Sequence, residues 1–306
     1  LGKLVKGASL DRPAPRPPAR TEAGFDRYGP AIPDRPIILS VPHAGRDYPP
    51  ELLAQARVRP HQLQRLEDRW ADLLVHPLIA RGFSVVIARA PRALIDLNRH
   101  EREIDPAMLL DVPRDAALHS SVKLRGGLGL IPRRMVGAHE LWHKPVAWSE
   151  AQRRIETIHR PYHAELARLM TAARDAHGHA ILIDLHSMPP LPPPAAGQAA
   201  PGIVLGDRFG RSASTRLMTL AADVAAGHGV VAAQNHPYAG DHLIERHGRP
   251  ERGLHAIQIE VDRSLYLDAA LDQPGPGLAR MQAIVIAMAE ALATELPRAD
   301  YALAAE

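Results

Sequence analysis

Short apolar runs alternate along this chain with stretches of helical period, and that alternation restricts the fold more than any other feature. "PIILSV" (Pro36–Val41), "FSVVIA" (Phe83–Ala88), "ALIDL" (Ala93–Leu97), "AILIDL" (Ala180–Leu185), "GIVLG", "VVAAQ" and "HAIQIEV" (His255–Val261) read as strands. Between them, residues 63–79, 149–178, 212–226 and 278–296 place apolar residues three and four apart, as one helix face does. In the third helical stretch from the C-terminus, Ser149 and Gln152 have the spacing of a capping box, and Pro161 is expected to bend the helix they start. Strand–helix alternation predicts an α/β fold: a mixed, largely parallel central sheet with helices on both faces. No internal repeat is visible. The expected division is a Pro/Arg-rich arm over 1–35 ("DRPAPRPPAR"), one α/β domain over 36–298, and a short tail over 299–306.

Composition removes several function classes. Hydrophobic residues make up 46% of 306, enough for a sizeable core, but aromatics are only 4%, so aliphatic side chains must fill it. No apolar run reaches the roughly 18 residues of a bilayer span, and "LGKLVKG" has no apolar segment behind it to act as a leader. The formal charge of +3 is spread among acids, which argues against a nucleic-acid partner. The absence of cysteine excludes disulfides and thiolate ligands and fits a reducing compartment, so a cytoplasmic location is expected. Any metal must be held by the 17 histidines and the carboxylates.

One metal motif is overt. His139-Glu140-Leu141-Trp142-His143 is H-E-x-x-H, which on a helix puts two imidazoles on one face with a glutamate beside them. A zinc peptidase using His139, Glu140 and His143 is therefore one reading. Against it, Gly137 precedes the motif and Pro145 follows it, and both work against a helix. "GGLGLIPRR" lacks the Lys-Ser/Thr ending of a phosphate loop and reads as a tight turn. Two proline-rich segments, "RPAPRPP" and "PPLPPPA", could serve as polyproline ligands in an interaction module.

The strand ends are a better place to look, because ligands of α/β sheets gather beyond the carboxyl ends of strands. His43 follows the first strand, Asn98 and Arg99 follow the third, and His186 follows "AILIDL". Glu260 lies near the end of "HAIQIEV", sharing a face with Ala256 and Gln258 and opposite Ile257 and Ile259. Glu67, Asp68 and Asp72 supply carboxylates in the stretch after the first strand. Two imidazoles, a carboxylate, a second carboxylate for proton transfer and an arginine for an anionic group are the parts of a zinc hydrolase.

"ILSVPHAGRDYP", "EDRWAD", "LIDLNR", "GLGLIPR", "RPYH", "LIDLHSMP", "GDRFG" and "PYAGDHLIERHGRPERGLHAIQIEVDRSLYLD" occur in order over Ile37–Asp268. In these segments the chain resembles the N-formylglutamate amidohydrolase family. The resemblance implies a zinc-exopeptidase-like hydrolase fold and hydrolysis of a small N-acyl amino acid such as N-formylglutamate, a step of histidine degradation. It implies Zn2+, or another divalent transition metal, on His43, His186 and an acid that matches Asp68, with Glu67 its rival. Glu260 falls at the general-base position, and Asn98 and Arg99 match the pair that binds the substrate carboxylate. Arg133 is a further candidate for a second carboxylate or the oxyanion. A histidine-tyrosine pair of the relatives is Arg246-His247 here; if that histidine binds the substrate or stabilises the oxyanion, either Arg246 or His247 substitutes for it or the substrate differs. H-E-x-x-H falls where the family has no metal role. The proline-rich loop that follows His186 is expected to be exposed.

Overall fold

A computed structural model describes residues 19–20, 23–135 and 140–295. Eight strands form one sheet: β1 (Ala19–Arg20), β2 (Phe25–Tyr28), β3 (Ile37–Val41), β4 (Ser84–Ala88), β7 (Ala180–Met188), β8 (Ile203–Gly206), β9 (Ala232–Gln234) and β10 (Leu254–Asp262). A separate pair, β5 (Leu109–Leu110) and β6 (Val146–Ala147), lies outside it. The sheet order is β1-β2-β4-β3-β7-β10-β8-β9, and the central four, β4-β3-β7-β10, run parallel. β2 and β8 join this block antiparallel on either side. The principal helices are α1 (Ala71–Ala80), α2 (Trp148–Arg154), α3 (Arg160–His177), α4 (Thr215–Gly227), α5 (His242–His247) and α6 (Leu278–Thr294).

Two-residue alternation divides the strands between two cores. Ile37, Leu39 and Val41 of β3, Ile181, Ile183 and Leu185 of β7, and Ile257, Ile259 and Val261 of β10 face α1, α4 and α6. The opposite face starts apolar, with Ile38, Leu182 and Ala256 against Tyr162, Leu166 and Leu169 of α3 and Leu243 and Ile244 of α5. It then turns polar toward the carboxyl ends, at Ser40, Asp184, His186, Gln258 and Glu260, all buried. A third cluster, including Leu52, Leu66, Leu130 and Trp142, packs under the long connections. The α/β architecture with helices on both faces is therefore as expected.

Several local expectations need correction. "ALIDL" is not a strand: Leu94 N–H donates to Pro91 O and Asp96 N–H to Leu130 O, so these amides serve turns instead of a ladder. The expected arm over 1–35 is in part sheet, since Phe25–Tyr28 pairs with Ala88–Val85; residues 1–18 and 21–22, with the "RPAPRPP" segment, lie outside the described residues, as does the tail. α2 starts at Trp148, one residue ahead of the expected Ser149 cap, with Ala147 as N-cap and no side-chain cap bond. Ahead of Pro161 the helix passes through a π-helical turn, Ile155–His159, which absorbs the amide that proline lacks. Residues 189–201 have no regular secondary structure. No helix among the described residues is long and apolar enough to cross a membrane.

Histidines are buried between α3, α5 and the sheet. Burial, with the charge of Arg246 adding to it, holds His159 at about 4 and His242 and His247 at about 3. The unfolded chain takes up these protons near an ordinary ~6.5 and the folded one does not. Folding stability should therefore fall as pH drops from about 6.5 to about 4 for His159 and to about 3 for His242 and His247, by up to ~1.4 kcal/mol per pH unit for each such group. Urea unfolding across that range checks this, and His247→Asn should make the decline shallower. Gly45 is a test of packing: a Cβ there would stand 2.0 Å from Ala90 O. Gly45→Ala should cost about 1–3 kcal/mol, whereas Gly227→Ala, at the end of α4 with nothing within 4 Å, should be neutral or slightly stabilising in the same assay.

Candidate active site

The site lies where the polar face of the sheet reaches its carboxyl edge. β7 and β10 set His186 directly beside Glu260 and Asp184 beside Gln258. β3 ends at Val41, and the turn after it carries His43. Asp68 arrives by a break in the helical stretch expected over 63–79. A 3-10 turn, Gln64–Leu66, ends at Glu67 in extended backbone, Trp70 adopts φ 55°, and α1 begins at Ala71. A left-handed tryptophan costs roughly 1–2 kcal/mol. The bend lets Asp68 N–H donate to His43 O at 3.0 Å, which fastens the two segments together.

Three donor atoms converge there. His186 Nδ1 is 3.2 Å from His43 Nδ1 and 3.0 Å from Asp68 Oδ2, and His43 Nδ1 is 3.5 Å from the same oxygen. The ring centroids are 4.8 Å apart. Each imidazole is braced from behind: His43 Nε2 lies 2.7 Å from Asp96 Oδ1, and His186 Nε2 lies 2.8 Å from Asp184 Oδ2. With Nε2–H donated to those carboxylates, both Nδ1 lone pairs point into the space shared with Asp68. Arg263 and Ser187 hold the other Asp68 oxygen, Oδ1, at 3.2 and 3.3 Å. This two-imidazole, one-carboxylate set fits a divalent transition metal.

The electrostatics are those of a cation trap. Burial opposes charge on His186, yet Asp184, Asp68 and Glu260 outweigh it and raise its pKa well above the usual imidazole value. Burial likewise opposes ionisation of Asp68, but the hydrogen bonds from His186 and His43 hold it well below the carboxylate range. Asp96 is held low against its burial by Arg92, His43 and Arg99. Glu260 behaves differently: burial and Asp68 raise its pKa in spite of the neighbouring imidazoles. Gln258 Nε2 donates to Glu260 Oε1 at 2.9 Å.

A cavity of ≈ 390 Å³ opens onto these groups, and Asn98, Arg99, Lys123, Tyr238 and Asp241 also line it. Asn98 Oδ1 accepts from Leu243 N–H at 2.7 Å, and its Nδ2 faces His186. Arg99 is 2% exposed; it donates to Leu128 O and Asn98 O and pairs with Asp241 at 2.8 Å. Lys123 also pairs with Asp241.

Other expected residues stand elsewhere. Glu67 turns away from the imidazoles to accept from Tyr48 and Arg69. Arg133 does not line the cavity and is paired with Asp105 and Glu140. Arg246 is exposed, and His247 is buried against His163 at 3.0 Å, so neither stands at the cavity. His139 lies outside the described residues; Glu140–His143 is not helical, and Glu140 and Trp142 form isolated bridges with Arg134 and Ala56. Asp96, Asp184, Arg92, Arg263 and Tyr238 went unread in the sequence. Strand parity could have found Asp184, two residues before His186 on the same face.

Comparison with known proteins places the chain in a family. The family model of N-formylglutamate amidohydrolase matches residues 35–267. The N-formylglutamate deformylase of Pseudomonas putida is 30% identical over 249 residues, 76% of this chain and 82% of that one. The Pseudomonas aeruginosa deformylase is 27% identical over 243 residues. The crystal structure of N-formylglutamate amidohydrolase from Ralstonia eutropha superposes with a TM-score of 0.79 at 30% identity, covering 88% of this chain and 97% of that chain. A gene product of Agrobacterium tumefaciens, 17% identical with a TM-score of 0.55, shares the fold. The chain thus belongs to the N-formylglutamate amidohydrolase family, hydrolases that act on an amide bond.

Proposed function

We propose that the protein hydrolyses the amide of a small N-acyl amino acid, N-formyl-L-glutamate foremost, at a divalent metal held by His43, Asp68 and His186. The observation that carries this reading is the meeting of His43 Nδ1, His186 Nδ1 and Asp68 Oδ2 one strand away from a buried Glu260. When bound, zinc would polarise the scissile carbonyl and lower the pKa of water toward ~7.

The chain's own groups supply the remaining steps. Glu260 accepts the proton of the attacking water and delivers it to the leaving amine. Its raised pKa brings the two protonation states closer in energy at working pH. Gln258 occupies Oε1 and leaves Oε2 for this transfer. Asp96 and Asp184 keep both imidazoles in the required tautomer. Arg99 lines the cavity with Nε held by Leu128 O and Nη1 by Asn98 O and Asp241, which leaves Nη2 for the substrate α-carboxylate, with Asn98 beside it. Arg65 and Lys123, exposed cavity-lining cations, are suited to the side-chain carboxylate of a dianionic substrate. Tyr238, whose hydroxyl stays protonated through burial and the field of Glu260, is placed to donate to the developing oxyanion.

Released amine from a panel of N-formyl, N-acetyl and N-succinyl amino acids tests the reading, and N-formylglutamate should be turned over fastest. Chelation should abolish turnover and added Zn2+ restore it. Glu260→Gln should lower kcat by about 10²–10⁴-fold with bound metal retained; unchanged turnover in that variant would refute the role of Glu260. Asp96→Asn and Asp184→Asn should each weaken metal affinity by about 10–100-fold, read by competition with a chromophoric chelator.

A further inference from the structure

The helical pairing of imidazoles four residues apart, sought at 139 and 143, occurs at His159 and His163. His159 closes the π-helical turn and His163 stands in the first turn of α3, so both rings leave one side of the helix. His242, the first residue of α5, meets them from across the fold. The ring centroids of His159 and His163 are 4.4 Å apart, and those of His163 and His242 are 5.4 Å apart. One ring nitrogen from each of the three lies within 4.8 Å of the other two. From this geometry we infer that His159, His163 and His242 form a second, buried site for a transition-metal ion, separate from His43, Asp68 and His186.

Four observations bear on it. First, the tautomers are set by backbone. His159 Nε2–H donates to Arg99 O at 2.8 Å and His163 Nε2–H to Leu97 O at 2.9 Å, so each ring offers an Nδ1 lone pair to the common space. Second, His159 Nδ1 and His242 Nε2 are buried without a hydrogen-bond partner, a costly state that a shared ligand relieves. His163 Nδ1 meets His247 Nε2 at 3.0 Å, and rotation of the His247 ring frees it while the bond to Leu97 O is kept. Third, the imidazoles stay neutral at physiological pH, the form that ligates metal, because burial depresses the pKa of all three. Fourth, a row of further imidazoles links the group to the surface. His119 is exposed, His100 lies 4.5 Å from it, and His242 lies 5.1 Å from His100.

Three neutral nitrogens select zinc, cobalt, nickel or copper over magnesium and calcium. Tetrahedral Zn–N bonds of ~2.1 Å separate donors by ~3.4 Å, so small ring rotations would complete the set. Arg246 opposes a cation at all three rings, and Glu101 and Asp96 act against it at His159. The rings are hydrogen-bonded to Leu97 and Arg99, the neighbours of Asn98, so an ion here would stiffen the segment that lines the active-site cavity.

The competing occupant is one water donating to both orphaned nitrogens, which would bind no metal. Chelator-stripped protein titrated with Zn2+, and with Co2+ followed by its visible bands, decides between them. Wild type should bind about two equivalents, and His43→Ala/His186→Ala should retain about one. Adding His242→Ala or, separately, His159→Gln to that variant should remove the remaining equivalent. The site is refuted if folded His43→Ala/His186→Ala binds no Co2+, or if its equivalent survives both additions. Should that double variant fail to fold, the single variant His242→Ala decides: stoichiometry falling from about two to about one supports the site, and unchanged stoichiometry overturns it. Failure of the proposed catalytic metal would read differently, as an equivalent lost with His242 but not with His43.

Discussion

Everything at the cavity depends on one hydrogen bond and the bend that permits it, Asp68 N–H to His43 O. His186 stands on β7 and His43 follows the end of the neighbouring β3 by two residues, so their closeness follows from the sheet. Asp68 has no strand to carry it. It reaches them because the chain leaves its helical path at Glu67 and re-enters at Ala71, with Trp70 in left-handed backbone. Strain of this kind persists only where the surroundings enforce it. Here Trp70 is pinned by its indole N–H to Asp272 O at 2.8 Å and covered by Arg46, whose guanidinium stands 4.3 Å from the ring centroid.

The parity of the central strands explains how so much charge can be buried. On β7 and β10 one face is aliphatic through Ile181, Ile183 and Leu185 and through Ile257, Ile259 and Val261, and that face holds the sheet to α1, α4 and α6. The polar residues of the site sit on the carboxyl half of the other face, and on the aliphatic face the polar side chains, Ser187 and His255, stand at the strand ends. Each buried acid there has a cationic or hydrogen-bonding partner, as desolvation demands. Asp96 has Arg92 and His43, Asp184 has His186 and Ser40, and Asp68 has Arg263 and Ser187.

This division also explains what could be read from the sequence. Strands were legible from their apolar runs, and with them His186 and Glu260, because period two fixes the face, and His43, because it closely follows a strand end. Asp68 was named, but as part of a helix, since nothing in "LEDRWADLL" signals a left-handed tryptophan. "ALIDL" has strand composition without a strand's neighbours: its amides are taken by Pro91 and Leu130. Arg133 was named for its charge and Arg246 for standing where the relatives have a histidine-tyrosine pair, and neither property tells where a long side chain points. Arg133 found Asp105 and Glu140, away from the cavity.

The two histidine groups show why residue type alone underdetermines chemistry. At His43 and His186, carboxylates behind each ring and beside the gap raise the affinity for positive charge, and His186 holds a proton well above the usual range. At His159, His163 and His242 the rings are backed by carbonyl oxygens or left without a partner, and burial drives the proton off. The first environment suits Lewis-acid chemistry next to an anionic base, since the acids that attract the cation also tune Glu260. The second has no proton acceptor of comparable basicity beside it, so its contribution is to the order of the Leu97–Arg99 segment and through it to the substrate end of the cavity.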